Sequence, residues 1–373
     1  MRVLIVNRGM YVYGGAELLI VKLANYMTNK GIENALLTTS IMPEMQKDLT
    51  GTEIIIPQLK NPQLKKSSVS EILTLHKGVR DNLNNFSVIN VHNYPAELSV
   101  FPYHKPVVWM CNEPDLYLWL ELKLPFSLKL RRKTLLAFDK FVVRHYIKNV
   151  VVADEFNAER FKKIYNITPY IINYGIDHAF FSQGYGEKVK ERFNLYDNFT
   201  LIQVGMLTTF KNQIESIKTI EKLRDKIPNV KLVLAGWGEG EYIEMLQRYV
   251  HTKSLDQYVI FTGHLSRNEI RDLYHACDVA LFPIKSQGGW LSPFEALCAK
   301  VPIIVSPLMT ASSIIKRNRI GIVTDNFVNA VMDIYNDPEK YYSIAKNGSV
   351  WVEKNLSWDN FCEKMVVIFE EVI

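Results

Sequence analysis

The sequence of 373 residues lacks several features that define common classes of protein. Its four cysteines are widely scattered and form no Cys-x-x-Cys pair, which disfavours a zinc site and a disulfide framework and fits a reducing compartment. No stretch approaches the roughly 18 uncharged apolar residues of a membrane-spanning helix, and the apolar run in MRVLIVNRG is too short for a signal peptide. We therefore expect a cytoplasmic protein whose contact with a membrane would be peripheral, at the inner face.

Internal repeats and low-complexity tracts are also absent from the sequence. The composition is ordinary for a folded protein, since 48% of the residues are hydrophobic and 22% are charged. The length exceeds the roughly 100 to 200 residues of one domain, so we expect two domains of similar size.

Short runs rich in β-branched residues alternate with stretches of helical period along the chain. This alternation predicts parallel sheets covered by helices, and its restart predicts two Rossmann-like, doubly wound α/β domains. We place the first at residues 1–172 and the second at 173–356, with a terminal helix over 357–373 packing back on the first. The runs expected to form strands are RVLIVN, NALLTTS, TEIIIP, SVINVH, PVVWMC, NVVVA, FTLIQVG, NVKLVLAG, YVIFTG, DVALFP, VPIIVS and IGIVT.

Loops that follow the strands should carry the chemistry, because open α/β sheets bind ligands at the carboxyl ends of their strands. Gly14 and Gly15 lie in such a loop, YVYGGAE, where glycine lets a backbone approach a ligand and a helix N-terminus suits an anion. A purely steric need for glycine at this turn is an equally good explanation. The segment GWGEGE lacks the GxGxxG spacing, which argues against a nicotinamide enzyme and for a tight turn near a nucleotide.

Charge is unevenly distributed along the chain. Residues 1–170 contain 22 Lys and Arg against 15 Asp and Glu, a net charge of +7, whereas the remainder carries −2. Residues 123–148 contain eight Lys and Arg and one acid, interleaved with aromatic residues. They predict a basic amphipathic helix that either lies on an anionic bilayer or is a solvated face over a packed apolar one. No nucleic-acid-binding motif accompanies the charge, so we expect no nucleic-acid partner.

Two segments of the second domain are the most informative, VGMLTTFKNQIESI and PIKSQGGWLSPFEALCAKVPIIVS. In the first, Lys211 stands at the start of a helix just after a strand, where its charge and the helix dipole would both favour a diphosphate. In the second, Gly288 and Gly289 precede a helix containing Glu295. That helix offers a second N-terminus to an anion.

These two segments resemble the signature regions of retaining GT-B glycosyltransferases of family four, the glycosyl transferases group 1. In that family a glycine-arginine-leucine turn precedes a lysine, and two glutamates separated by seven residues follow. The chain is similar through Gly205, Leu207 and Lys211, and through Gln287 and Glu295 at the paired-acid spacing. Shorter matching segments span nearly the whole chain: YGGAE, HNYPAELS, WMCNEPD, YGID and EALCAKVPIIVS.

The resemblance implies a GT-B fold whose domains face an interdomain cleft, with a nucleotide diphosphate sugar bound to the second domain and no other cofactor. Lys211 would neutralise the diphosphate, Glu295 would hold the ribose hydroxyls, and Gln287 would contact sugar hydroxyls. The remaining donor-binding residues would offer backbone groups or close approach: Gly14, Gly15, Gly205, Gly288, Gly289, Leu291 and Ser292.

On the first domain the resemblance implies that His92 lies near the reacting carbon and the acceptor; a satisfied buried histidine at a strand end is the alternative. Further acceptor-side contacts would come from Glu17, Asn93, Asn112 and Glu113. The acceptor would be a glycan or a lipid-linked molecule, as in polysaccharide biosynthesis.

The family's mechanism keeps the anomeric configuration without an enzyme nucleophile, because the leaving phosphate oxygen can take the acceptor's proton on the same face. Electrostatic stabilisation of the departing charge is then the main contribution to catalysis. Lys211 and helix N-termini would supply it without a metal ion, and the sequence has no Asp-x-Asp pair to hold one.

Two positions depart from the family's pattern. Met206 stands where the family has arginine, and Gln287 stands where it has the first glutamate, so one cation and one carboxylate are missing. Lys285 could replace the cation or be a solvated surface lysine. These departures support one alternative, a catalytically degenerate protein that binds a nucleotide sugar. A GT-B nucleotide-sugar epimerase is a second alternative, supported by the shared architecture only.

Overall fold

The computed structural model of the chain describes residues 1–11, 14–58, 68–112, 126–238, 240–285 and 290–373, without the side chains of Ser68 and of residues 126–131. The chain divides into two compact units. The N-terminal unit comprises Met1–Tyr174 and Trp358–Ile373, and the C-terminal unit comprises Gly175–Ser357.

The N-terminal unit is built on a parallel sheet of seven strands in the order β3-β2-β1-β4-β5-β6-β7. Its strands are β1 (Arg2–Asn7), β2 (Glu33–Leu37), β3 (Glu53–Ile55), β4 (Val88–His92), β5 (Val107–Met110), β6 (Asn149–Val152) and β7 (Tyr170–Ile171). The helices within Met1–Tyr174 are α1 (Gly15–Asn29), α2 (Pro43–Asp48), α3 (Ser68–Asn82), α4 (Phe126–Tyr146) and α5 (Glu155–Tyr165), with short 3-10 turns at Leu83–Asn85 and Ala96–Val100.

The core of this unit follows from strands that are apolar on both faces, as expected for a parallel sheet covered by helices. All five residues of β4 are buried, as are five of the six in β1. Trp109 of β5 packs edge-on against Phe161 and Tyr165 of α5, with ring centroids 5.5 and 5.8 Å apart. The centre of the sheet is therefore buried and packed, and the residues at its carboxyl edge follow directly from these buried strands.

The C-terminal unit repeats this plan with six parallel strands in the order β10-β9-β8-β11-β12-β13. The strands are β8 (Phe199–Val204), β9 (Val230–Ala235), β10 (Val259–Gly263), β11 (Val279–Phe282), β12 (Ile303–Val305) and β13 (Ile322–Val323). The helices are α6 (His178–Phe181), α7 (Glu187–Phe193), α8 (Gln213–Leu223), α9 (Gly240–Thr252), α10 (Arg267–Tyr274), α11 (Leu291–Cys298), α12 (Ser312–Asn318), α13 (Phe327–Asn336) and α14 (Pro338–Asn355).

All twelve strands expected from the sequence are present; β1 matches its predicted run, β2 begins one residue earlier than predicted, and most of the others are shorter at one or both ends. The sequence did not reveal β7, whose two residues are exposed and pair with Val151 and Val152 at the sheet edge. A two-residue edge strand has too little apolar period to be recognised. The alternating α/β class that the pattern predicted is confirmed.

The final helix, α15 (Trp358–Glu371), belongs to the N-terminal unit and packs against α1. Its buried face contains Phe361, Cys362, Met365, Ile368 and Phe369. The basic segment forms α4, although residues 123–125 lie outside the described part of the chain. Across the described residues, none of the helices has the length and apolar character needed to span a bilayer.

Candidate active site

The carboxyl edge of the C-terminal sheet extends beyond β8 and β9 as two paired segments. The Gly205 N–H donates to the Ala235 carbonyl over 3.0 Å, and the Leu207 N–H donates to the Trp237 carbonyl over 2.9 Å. Gly205 and Gly236 have φ angles of 145° and 148°, which other residues rarely adopt. A Cβ atom on Gly236 would lie only 2.0 Å from the Gly205 carbonyl oxygen. The close approach of the two backbones therefore requires glycine.

Lys211 lies against this turn. A Cβ atom built on Gly205 would be 4.0 Å from Lys211 Cε, so the lysine side chain passes beside the glycine. The Lys211 carbonyl accepts a hydrogen bond from Gln203 Nε2 (2.8 Å), and its N–H donates to the Thr208 carbonyl (3.1 Å). The backbone of Lys211 is thus fixed at the end of β8, two residues before α8 begins.

The segment after β11 is tied to the same loop. Asn212 Nδ2 donates to the Pro283 carbonyl over 2.8 Å, and the Lys285 N–H donates to the Phe210 carbonyl over 3.0 Å. Because β8 and β11 are neighbours in the sheet, both segments leave from the same edge. Lys211 and Lys285 are therefore close in the fold although they are far apart in the sequence.

Helix α11 presents its N-terminus at this edge, after the loop that follows β11. Leu291 and Ser292 are its first two residues, so their N–H groups belong to the first turn, which has no acceptor within the helix. Glu295 is the fifth residue and lies in the second turn. The other donor-binding residues predicted in this loop lie outside the described residues: Gln287, Gly288 and Gly289.

The pKa of the half-buried Glu295 is raised by burial to about 7. The nearby Arg267 guanidinium opposes this rise, and Asp177 adds to it. Arg267 is also paired with Asp177 (Nη2 to Oδ2, 3.2 Å) and lies over the Phe180 ring at 4.4 Å from its centroid. The positive charge of Arg267 is therefore shared between Asp177 and Glu295. With a pKa of about 7, Glu295 is close to half ionised at neutral pH.

In the N-terminal unit, the predicted glycine pair opens α1. Gly14 precedes the helix in an extended conformation, and the exposed Gly15 is its first residue. The carboxylate of Glu17 accepts hydrogen bonds from the N–H groups of Gly14 and of Glu17 itself, which oppose the rise in its pKa that burial causes. A glutamate at the third helical position commonly caps the N-terminus of its helix in this way. Glu17 is therefore engaged with its own helix.

His92 ends β4 between Asn7 of β1 and Met110 of β5, and its side chain is fully buried. Its Nε2 lies 2.7 Å from Asn90 Oδ1, while Asn90 Nδ2 donates to the Val108 carbonyl. Asn90 Oδ1 can only accept, so His92 carries its proton on Nε2. Burial lowers the pKa of His92 to about 3, and its Nδ1 has no hydrogen-bond partner within the described residues. His92 is a neutral side chain with an unused acceptor atom.

Two asparagines adjoin His92 at the carboxyl ends of β4 and β5. Asn93 has a left-handed φ of 54°, and its Oδ1 accepts the Asn112 N–H over 3.4 Å. Asn112 Oδ1 in turn accepts from the Tyr174 hydroxyl. The structure thus groups His92, Asn93 and Asn112, while Glu113 lies outside the described residues.

Buried amides that hold these groups were missed in the sequence. Asn90 orients His92, Gln203 holds Lys211, and Gln213 Nε2 donates to the Met206 carbonyl over 2.9 Å. Asn90 and Gln203 were detectable as amides inside largely apolar strand runs, because a buried amide needs hydrogen-bond partners. Within the described chain, no cluster of three or more His, Cys, Asp or Glu side chains could hold a metal ion.

Two family models match successive parts of the chain. The model described as Glycosyltransferase Family 4 matches residues 13–180, and the model described as Glycosyl transferases group 1 matches residues 187–351. Together with two parallel α/β sheets and a lysine beside a glycine turn, these matches define the class. The chain belongs to the group 1 glycosyltransferases of the GT-B fold.

The curated relatives share little sequence identity with the chain. The chain is 23% identical to a GDP-mannose-dependent alpha-(1-6)-phosphatidylinositol monomannoside mannosyltransferase of Mycobacterium tuberculosis, over 48% of this chain and 49% of the relative. It is 21% identical to the human alpha-1,3/1,6-mannosyltransferase ALG2, over 75% of this chain and 72% of the relative. The chain spans about half the length of the first curated relatives that it matches.

Solved structures confirm the predicted GT-B class. The Anabaena protein HepE in complex with UDP and glucose is similar with a TM-score of 0.81 and 16% identity, over 100% of both chains. WaaG, a glycosyltransferase of lipopolysaccharide biosynthesis, is similar with a TM-score of 0.79 and 16% identity, over 98% of this chain and 99% of WaaG.

Proposed function

We propose that the chain transfers a sugar from a nucleotide diphosphate sugar to a glycan or a lipid-linked acceptor, with retention of the anomeric configuration and without a metal ion. The observation that carries the proposal is Lys211 beside Gly205 at the end of β8, in the unit that also presents the N-terminus of α11. The mannosyltransferase relative is named as GDP-mannose-dependent, and the similar HepE structure contains UDP. Both names support a nucleotide diphosphate donor.

We assign donor binding to the C-terminal unit. The Lys211 ammonium would pair with the diphosphate, since charge-assisted hydrogen bonds to phosphate are the strong ones. The N–H groups of Leu291 and Ser292 would bind phosphate oxygens with the help of the helix dipole. Glu295 would accept hydrogen bonds from both ribose hydroxyls when it is ionised.

We assign acceptor binding to the N-terminal unit. His92 remains neutral throughout the physiological range, so it would act through its Nδ1 lone pair and accept a hydrogen bond from a sugar hydroxyl. Asn90 would keep that lone pair available by fixing the tautomer. The Asn93 and Asn112 amides would add neutral contacts to hydroxyl groups.

In the proposed reaction the acceptor hydroxyl oxygen bonds to the anomeric carbon as the bond to the diphosphate breaks on the same face. The hydroxyl proton passes to the leaving phosphate oxygen, so no enzyme nucleophile or separate base is needed. Negative charge grows on the diphosphate, and Lys211 stabilises it. One such contact commonly contributes on the order of a hundredfold or more in rate.

The proposal is tested first by donor binding. The purified chain is heated with UDP-, GDP- and ADP-sugars, and a ligand at about 100 times its Kd stabilises the native form by about 2.7 kcal/mol. The stabilising donor is then incubated with candidate acceptors, with and without EDTA. We expect transfer with the donor's anomeric configuration and full activity in EDTA. Strict dependence on Mn²⁺, or an inverted product, would contradict those parts of the proposal.

A binding protein without turnover is the second candidate, and Met206 is the observation that favours it. Its side chain is 47% exposed at the turn where the family has arginine, so one cation is absent. Donor binding without transfer or hydrolysis would support this candidate. Conversion of the donor's sugar without an acceptor would instead indicate the epimerase alternative.

We also propose that α4 rests on an anionic bilayer. Phe138 and Phe141 are 39% and 43% exposed on this helix, and Arg144 and the following Lys148 are exposed. Asp139, the one acid of the basic segment, is fully buried. The exposed side chains described on this helix include no acid and combine basic and aromatic residues with Thr134 and Ala137, which suits a negatively charged membrane surface.

Vesicle sedimentation tests this contact. The wild-type chain should bind vesicles that contain phosphatidylglycerol and should not bind vesicles of pure phosphatidylcholine. Replacing Phe138 and Phe141 by serine should weaken binding about tenfold or more, because two aromatic side chains no longer insert. Phe156→Ser, at an exposed phenylalanine of α5, is the matched control. Equal binding by both variants would rule out α4 as the contact.

A further inference from the structure

At the carboxyl edge of the C-terminal sheet, to which we assign donor binding, the position of the family's arginine carries no positive charge. A diphosphate carries more than one negative charge, and the exposed Met206 cannot neutralise any of it. The Met206 carbonyl is held by Gln213 Nε2 over 2.9 Å, so the turn itself is well ordered around the uncharged side chain. A second cation at this edge would come from another segment that follows a strand.

Lys285 is on such a segment. Its N–H donates to the carbonyl of Phe210, the residue before Lys211, over 3.0 Å. A second, buried hydrogen bond joins the same two segments. It runs from the Asn212 side chain to the carbonyl of Pro283, which lies two residues before Lys285. The backbone of Lys285 is therefore fixed beside that of Lys211, at the end of the strand next to β8.

The environment of Lys285 leaves its charge available. The side chain is exposed, and no ion pair or hydrogen bond of its ammonium occurs among the residues that the structure describes. Lys190 and Lys253 of the same unit differ in this respect, since Lys190 pairs with Glu187 and Lys253 pairs with Glu221. No described carboxylate would have to be displaced before Lys285 could bind an anion.

We propose that Lys285 supplies the second positive charge on the donor's diphosphate, in place of the arginine that is absent at Met206. This inference rests on the proposed function, because it assigns one more residue to the same donor site. The physical basis is that two ammonium groups at one sheet edge neutralise a diphosphate better than one, and lysine binds phosphate as a point charge.

The test is the affinity for the nucleoside diphosphate that stabilises the wild-type chain most among UDP, GDP and ADP, measured by calorimetry. Lys285→Ala should weaken this binding about tenfold to a hundredfold, the range for a hydrogen bond to a charged group. Binding of the corresponding nucleoside, which has no phosphate, should not change. Lys316→Ala, at an exposed lysine of α12, is the matched control and should bind as the wild type does.

A rescue variant separates charge from structure. Met206→Arg added to Lys285→Ala should restore much of the lost affinity, which a merely structural role of Lys285 would not allow. If Lys285→Ala binds the diphosphate within about twofold of wild type, the assignment of Lys285 is wrong while the proposed function stands. If the wild-type chain binds none of the three diphosphates, the proposed function and this inference are overturned together.

Discussion

The carboxyl edges of the two sheets are built alike but differ in charge. At the N-terminal edge, His92 is neutral and fully buried, and its neighbours Asn93 and Asn112 are amides. At the C-terminal edge, Lys211 and Lys285 stand on adjacent strand ends, and the carboxyl of Glu295 titrates near neutral pH. The same fold thus provides one edge with neutral side chains and one with ionisable side chains.

The largest effect is expected at the charged edge. Lys211→Ala should lower kcat/KM by about a hundredfold to a thousandfold, because it removes stabilisation of the departing diphosphate. Thermal unfolding should be nearly unchanged, since a half-buried side chain is shortened without a change in the backbone. Steady-state kinetics with the identified donor provide the measurement, and Lys316→Ala is the control. Turnover close to wild type would remove Lys211 from the mechanism.

The neutral edge is probed by a pair of His92 variants. Glutamine can still donate to Asn90 and offer an acceptor oxygen, whereas phenylalanine can do neither. We expect His92→Phe to lose about tenfold to a hundredfold in kcat/KM and His92→Gln to lose less. Equal activity of the two variants would show that the Nδ1 acceptor has no part in catalysis.

A pH series distinguishes the edges. Burial raises the pKa of Glu295 to about 7, and the ionised carboxylate is the better acceptor for a ribose diol. Affinity for the intact donor should therefore rise by up to about tenfold between pH 6 and pH 8. Calorimetry on Glu295→Gln should show weaker binding without this rise. His92, with a pKa of about 3, should contribute no inflection in the same range.

The smallest effect on turnover is expected from the buried Asp139 of α4. Burial raises its pKa to about 6, although the hydrogen bond from the Tyr165 hydroxyl (2.7 Å) opposes the rise. The folded pKa exceeds the unfolded one, so the native state binds more protons, and the stability due to Asp139 falls as pH rises from about 4 to about 7. Asp139 also shares a hydrogen bond with the buried Glu97, so the two carboxyls titrate together. Asp139→Asn should gain stability relative to wild type over that window in urea unfolding. A constant difference between the two proteins would contradict this assignment.

Sequence patterns predict the sheets well and the site only in part. Runs such as SVINVH and FTLIQVG form buried strands because their apolar residues suit a parallel sheet covered on both faces. The position of Lys211 followed from the strand-to-helix pattern. The contact between Phe210 and Lys285 did not, because it depends on which strands are neighbours in the sheet. Nor could the sequence show that Glu17 caps the N-terminus of its own helix or that His92 is neutral, since both properties depend on burial and hydrogen bonds.

The paired glycines beyond β8 and β9 also determine how this edge can change by mutation. Gly236 tolerates no side chain, because a methyl group there would overlap the backbone of Gly205, and Gly205 itself has a φ of 145° that disfavours other residues. The residues after them, Met206 and Trp237, are 47% and 42% exposed and have room for other side chains. Substitutions at 206 and 237 would therefore change the side chains that this edge presents without disturbing the paired backbones beneath them.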